Sequence, residues 1–288
     1  MSTASDKGMA SVENAEAVAF QFTRIVGGQK VRSDKLAGVL DHAAVNEQPW
    51  LFVSPHDDDL CIGAGMLIQA AIDAGVDVKV AVVTDGCLGY CREGQEDSIV
   101  EIRREETMES FEVLGVNSGS VECLGFPDGG LTQYIGRRKT HNGEAGIAEH
   151  IGLQNSLTHI LRKHRPSRVF VPTPTDLHPD HRITYSELAI SLFHATGAIW
   201  PELGPPLLDA PALCELAVYC DFADAPNLEV IGNDAAFDRK LRSIELYKSQ
   251  VQIGALVESI REAGPYEYIR DVGFNLYSPK RYKSMFAD

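Results

Sequence analysis

The chain alternates between short apolar runs and helix-period segments. Leu51-Phe52-Val53 is continuously apolar, a polar turn follows, and apolar residues then recur at Leu60, Ala64, Leu67, Ile68, Ala71 and Ile72. That i, i+4, i+7, i+8 spacing is the signature of a helix with one buried stripe. It predicts a buried strand over 50–54, a turn, and a helix from Leu60 that ends near Gly75, a residue suited to a helix C-cap. The pattern then repeats: strand 76–83, helix 98–114 closing at Gly115, strand 121–124, helix 147–164, strand 168–171 and helix 181–196. Strands alternating with helices at this spacing imply right-handed crossovers. The predicted fold is therefore α/β, a Rossmann-like, mainly parallel sheet with helices on both faces.

Outside that stretch the periodicity weakens. Residues 1–18 are small and polar and read as a loose arm, and 19–47 as an extended lead-in with a short helix near 33–42. Residues 130–146 form a long glycine-containing loop, a length that in compact domains usually serves function or mobility. A proline-rich break at 201–211 precedes a strand over 214–220, a helix over 234–251 and a tyrosine-rich end over 266–282. With no repeat and no second core, the expected organisation is an arm and lead-in (1–48), an α/β core (49–200) and a C-terminal extension packed on the same domain (201–288).

Composition narrows the partners. The 288 residues carry 26 Lys+Arg against 41 Asp+Glu, a formal charge of −15, which disfavours a nucleic-acid or anionic-membrane surface. No stretch approaches a membrane span, and the N-terminal residues lack the basic-then-apolar pattern of a secretory signal. The six cysteines are scattered, and Cys87-x3-Cys91 without a second pair is a weak zinc signal. Reduced thiols in a cytoplasmic protein are the expectation. A homo-oligomer is left open.

The chemistry lies in two clusters. His56-Asp57-Asp58-Asp59 follows the first strand, and Asp176-Leu-His178-Pro-Asp180-His181 follows a later one. A helix cap accounts for one of the first three carboxylates. It does not account for all of them at the mouth of a buried strand, where they repel one another unless a cation lies between. Ligand sites of open parallel sheets lie outside the strands' carboxyl ends, so both clusters can converge. His56 and Asp59 at i, i+3 can face one cation, with His181 as third ligand. Two His and one carboxylate with an open position is the donor set of hydrolytic zinc sites, although Fe(II), Mn and Co also accept it. Asp58 is then placed to take a proton from water. His178, as an imidazolium oriented and kept charged by Asp180, is placed to stabilise an oxyanion and protonate a leaving amine.

Pro-His-x-Asp-Asp and His-x-Asp-His in these positions resemble the PIG-L/LmbE family of metal-dependent N-deacetylases, over about residues 50–196. Its members act on N-acetylglucosaminyl-phosphatidylinositol, on mycothiol and bacillithiol precursors, on chitobiose and on antibiotic aminosugars. The resemblance implies zinc on His56, Asp59 and His181, Asp58 as general base, and His178 with Asp180 at the oxyanion. It further implies substrate contacts from Arg103 in Arg-x-x-Glu, Asp128 in Phe-Pro-Asp-Gly, and Asp85 in Thr-Asp-Gly. A surface ion pair is the alternative for Arg103, and a turn residue for Asp128. The chain departs from the family pattern at Asp57, where Pro is usual, and at Leu60, often Glu. The implied activity is hydrolysis of an N-acetylated aminosugar or glycoconjugate to acetate and free amine. The alternatives are an amidase on a related conjugate, a metal-dependent phosphoesterase and a non-catalytic sugar-binding protein. Arg137-Arg138-Lys139 reads as a solvated loop or a contact for an anionic aglycone.

Overall fold

Alternate residues of the first predicted strand serve two separate cores. Trp50 and Phe52 pack with Leu60, Ala64, Leu67, Phe111 and Ile244 on one face, and Leu51 and Val53 with Leu157, Leu161, Leu188 and Leu192 on the other. This period of two explains the continuous apolar run: a strand covered on both faces has no polar side. Phe52 stacks on Phe170 with ring centroids 4.4 Å apart, which fixes two neighbouring strands in register.

The computed structural model describes residues 19–40, 48–141, 143–273, 277–283 and 285–286, so the predicted arm and the end of the predicted 33–42 helix lie outside the described residues. In chain order the elements are β1 (Phe20–Val26), β2 (Gln29–Ser33), β3 (Trp50–Ser54), α1 (Asp59–Asp73), β4 (Val78–Thr84), α2 (Ile99–Val113), β5 (Val121–Phe126), β6 (Arg138–Lys139), β7 (His150–Ile151), α3 (Leu153–His164), β8 (Arg168–Pro172) and α4 (Pro179–Thr196). The chain continues with β9 (Ala212–Leu216), β10 (Leu228–Gly232), α5 (Asp234–Glu245), α6 (Ile253–Ala263) and β11 (Tyr266–Val272).

One sheet runs β2-β1-β10-β11-β9-β8-β3-β4-β5. Its section from β9 to β5 is parallel, and β10, β11, β1 and β2 extend it with antiparallel pairings. From β3 the chain steps outward to β4 and β5, then returns to β8 and β9 on the other side. The carboxyl ends of β3 and β8 therefore flank the point where strand order reverses, the place at which open α/β sheets form a crevice.

Several boundaries differ from the expectation. The helix predicted from residue 147 begins at Leu153, because Ala148 and Glu149 have positive φ and Ile147 bridges to His150 in a small hairpin. Gly152 makes the join at φ 122°, where a Cβ would lie 2.3 Å from the Gly136 carbonyl oxygen. The strand predicted over 214–220 spans Ala212–Leu216. The helix predicted over 234–251 ends at Glu245, and the separate helix α6 follows. Among its described residues the lead-in supplies β1, β2 and a 3-10 turn at Leu36–Gly38. Among the described residues no helix is long and apolar enough to cross a membrane.

The C-terminal elements grip α1 from beneath. Lys240 of α5 and Glu267 of β11 are almost fully buried and pair at 2.7 Å. The two Glu267 oxygens also accept the Met66 and Leu67 amides of α1, each at 2.8 Å. Gly65 makes room for this: a Cβ there would meet the Lys240 side chain at 3.0 Å.

Candidate active site

The turn from β3 into α1 is built by its own polar groups. The Ser54 hydroxyl donates to the His56 carbonyl, and the His56 amide donates to Asp59 Oδ2 at 2.8 Å. Asp59 is thus the carboxylate that closes the start of the helix. Asp58, at the N-cap position, makes no side-chain capping bond among the described residues. Across the crevice His178 is the N-cap of α4, with Pro179 in the first turn, and its Nδ1 accepts the Asp180 amide at 3.2 Å.

These two turns bring three donor atoms together. His56 Nδ1 and His181 Nε2 are 3.1 Å apart, and they lie 3.4 Å and 3.1 Å respectively from Asp59 Oδ2. Donors about 2.0–2.2 Å from a tetrahedral cation stand roughly 3.3–3.6 Å from one another, so this triangle fits a small divalent ion. Asp59 Oδ1 is buried and has no hydrogen-bond partner among the described residues, leaving a lone pair for the same purpose. Both outer imidazole nitrogens face carboxylates, His56 Nε2 with Asp128 Oδ1 at 3.3 Å and His181 Nδ1 with Asp176 Oδ2 at 3.2 Å. Neither pair meets hydrogen-bond geometry here, but both carboxylates lie where a metal-binding histidine usually has its orienting partner.

The electrostatics also call for positive charge here. Burial works to raise the Asp59 pKa, yet His181 and His56 hold it below the ordinary carboxylate range. Burial alone would lower His56, but Asp59, Asp128 and Asp180 reverse that and raise it above the ordinary histidine value. Asp58 behaves differently: burial and then the charge of Asp57 push it up to about 6, while Arg103 pulls it down. Neighbouring carboxylates driven apart in this way suit different tasks.

Other predicted residues have changed employment. Asp180 does not pair with His178 through its carboxylate. That group accepts the Gly129 amide at 2.8 Å and lies 3.7 Å from His56 Nε2, because the helix turn directs it across the crevice. Burial, then His56 and His181, lower the His178 pKa below the ordinary histidine value, while Asp180 and Asp128 pull it up. Its Nδ1 is already an acceptor, so the neutral ring offers one proton, on Nε2. Asp85 Oδ1 accepts the Cys87 and Asp128 amides at 3.0 and 3.1 Å, tying two loops together beside a cavity that Asp57 and Arg103 also line. Arg103, expected on a substrate, is buried in an ion pair with Asp57. Two members of the basic triplet are also engaged: Arg137 with Asn155, Glu202 and the Trp200 ring, and Arg138 with Glu144. Among the described residues, Cys87 and Cys91 join no metal-type cluster.

Three site residues carried no assigned role in the sequence reading. Asp176 lies in the second cluster, and the spacing Asp-x4-His to His181 was its only signal. Tyr219, just past β9, lays its ring 5.1 Å from that of His181. Tyr247, after α5, donates to the Asp57 carbonyl at 2.6 Å. Neither tyrosine has a local pattern that points to the crevice.

Two His and one carboxylate at the switch point of an α/β sheet form a donor set that suits a divalent metal ion. Residues 51–191 match the family model described as PIG-L: GlcNAc-PI de-N-acetylase. This segment, just under half of the chain, is therefore similar to the PIG-L family. Diacetylchitobiose deacetylase of Thermococcus kodakarensis is 32% identical over 136 residues, 46% of this chain and 44% of that protein. Mycothiol S-conjugate amidase of Streptomyces coelicolor is 29% identical over 204 residues, 66% of each. The aligned part therefore spans less than half the length of the first relative and about two thirds of the second. The solved structure of N,N'-diacetylchitobiose deacetylase from Pyrococcus horikoshii shares the fold, with a TM-score of 0.63 at 23% identity over 85% of this chain and 91% of that one.

Proposed function

We propose that the chain is a zinc-dependent N-deacetylase acting on an N-acetylated aminosugar or a conjugate of one, in a reducing cytoplasmic setting. The observation that carries this reading is the His56–Asp59–His181 triangle, 3.1–3.4 Å on each side, with the Asp58 carboxylate next in sequence. Names of relatives support the reaction class, one being a diacetylchitobiose deacetylase and the other a mycothiol S-conjugate amidase. The donor set favours zinc, with Fe(II), Mn and Co as competitors.

His56, Asp59 and His181 would hold the ion, and Asp128 and Asp176 would fix the two imidazoles. A divalent cation there supplies Lewis acidity, polarising the acetyl carbonyl and making an attacking water a stronger acid. Asp58, with its pKa raised to about 6, takes the proton of that water. His178 donates from Nε2 to the developing oxyanion. Protonated Asp58 then returns its proton to the departing nitrogen, giving acetate and the free amine.

The decisive measurement is acetate release from a panel of N-acetylated aminosugars, before and after chelation. Release that stops with chelator and returns with about one equivalent of zinc per chain is the expected result. Phosphate release from sugar phosphates, or two equivalents of metal, would replace this reading with a phosphoesterase. Asp176→Asn is expected to weaken zinc about 10–100-fold in a chelator competition, because His181 loses the carboxylate that orients it. Unchanged zinc affinity would remove Asp176 from the scheme.

A further inference from the structure

Asp57 takes no part in the chemistry above, yet it is only 5% exposed. Its Oδ2 accepts Arg103 Nε at 2.6 Å and Thr107 Oγ1 at 3.3 Å, and its Oδ1 accepts Arg103 Nη2. Its backbone carbonyl takes the Tyr247 hydroxyl, and the Arg103 guanidinium lies 5.2 Å over the Tyr247 ring. A bidentate carboxylate on one edge and an aromatic face leave the guanidinium no freedom to rotate. The same Nη2 lies 3.4 Å from Asp58 Oδ2. One nitrogen thus touches two consecutive carboxylates, and only the second faces the chemistry.

We infer that Asp57 is a positioning residue: it clamps Arg103 so that Nη2 holds one oxygen of Asp58 in place and leaves the other for the water. Asp57 acts through Arg103 and touches no reacting atom. The inference rests on Asp58 being the general base. It commits Nε and Nη2 of Arg103 to the turn and leaves Nη1 without a hydrogen-bond partner among the described residues.

A staple with no catalytic consequence would use the same contacts, and a mutant cycle separates the two. The full-length, zinc-loaded chain would be compared as wild type, Asp57→Asn, Arg103→Met and the double variant. The readouts are kcat, KM, zinc affinity by chelator competition, and melting temperature. Asp57→Asn is isosteric but can accept at one atom only. It is expected to lower kcat about 10–100-fold, the scale of a misplacement near 1 Å, with KM and zinc affinity within about twofold. The double variant is expected to match Arg103→Met alone. If Arg103→Met does not fold, because it strands the Asp57 charge, Arg103→Lys takes its place in the cycle. A normal kcat with a lowered melting temperature would reduce Asp57 to a staple. Effects of the two substitutions that multiply, or a loss of zinc, would also overturn the inference. Wild type that releases no acetate from any substrate would remove the functional reading, and this inference with it. Activity abolished by Asp58→Asn but untouched by Asp57→Asn would remove the inference alone.

Discussion

Asp58→Asn is expected to lower kcat by about 10²–10⁴-fold while zinc content and melting temperature hold, the range ascribed to a positioned general base. Three features make this a clean test. The side chain caps nothing in α1, so the helix start does not depend on it. Asn has the same shape. Burial, and then the charges of Asp57 and Asp59, raise the pKa of the carboxylate being removed, so its loss relieves repulsion while Arg103 keeps its partner Asp57. Acetate release and metal analysis on one preparation settle the matter. Full activity with normal zinc would remove Asp58 as the base.

The largest stability effect is expected at Glu267. Replacing it with Leu leaves the Lys240 ammonium buried without its partner and strips the acceptor from the Met66 and Leu67 amides. Breaking a buried pair costs about 3–5 kcal/mol, and an orphaned amide adds about 1–3 kcal/mol. Lys240→Met should cost less, because Glu267 keeps both amides. Exchanging both members of a buried pair for apolar residues is often neutral. Here Lys240→Met/Glu267→Leu should remain destabilised, since the amides belong to neither partner. Midpoints and slopes of urea unfolding would test this order. A double variant as stable as wild type would mean that the amides need no acceptor.

The parts that were legible in the sequence are those whose signal is local. Residues 50–75 combine a two-sided apolar strand, a polar turn and a helix period within 26 consecutive positions, and the strand recurs in the structure at the same residues. His56, Asp59 and His181 are brought together because each sits one turn beyond a parallel strand, and parallel strands share a carboxyl edge. Side-chain partnerships were harder to read. Nothing in Asp57-Asp58-Asp59 says which carboxylate Arg103 will reach, because that depends on the placement of α2. Asp180 turned to Gly129 for the same reason, since its backbone, not its side chain, meets His178. The C-terminal elements were least legible. Two short strands and a helix break after Glu245 are decided by contacts with α1 and the Asp57 carbonyl, far away along the chain.

The order of the sheet has a consequence for how the molecule is made. β1 pairs with β10, and β11 joins β10 to β9, so the first hairpin has no seat until nearly the last strand has left the ribosome. Once β9 has been made, the parallel section presents it as a bare, apolar edge until β11 follows some fifty residues later, the kind of surface on which nascent chains stick to one another. A message cut short after Cys220 would therefore yield an adhesive fragment rather than a smaller working protein. It would also lack Tyr247, and with it the hydroxyl that steadies the Asp57 turn.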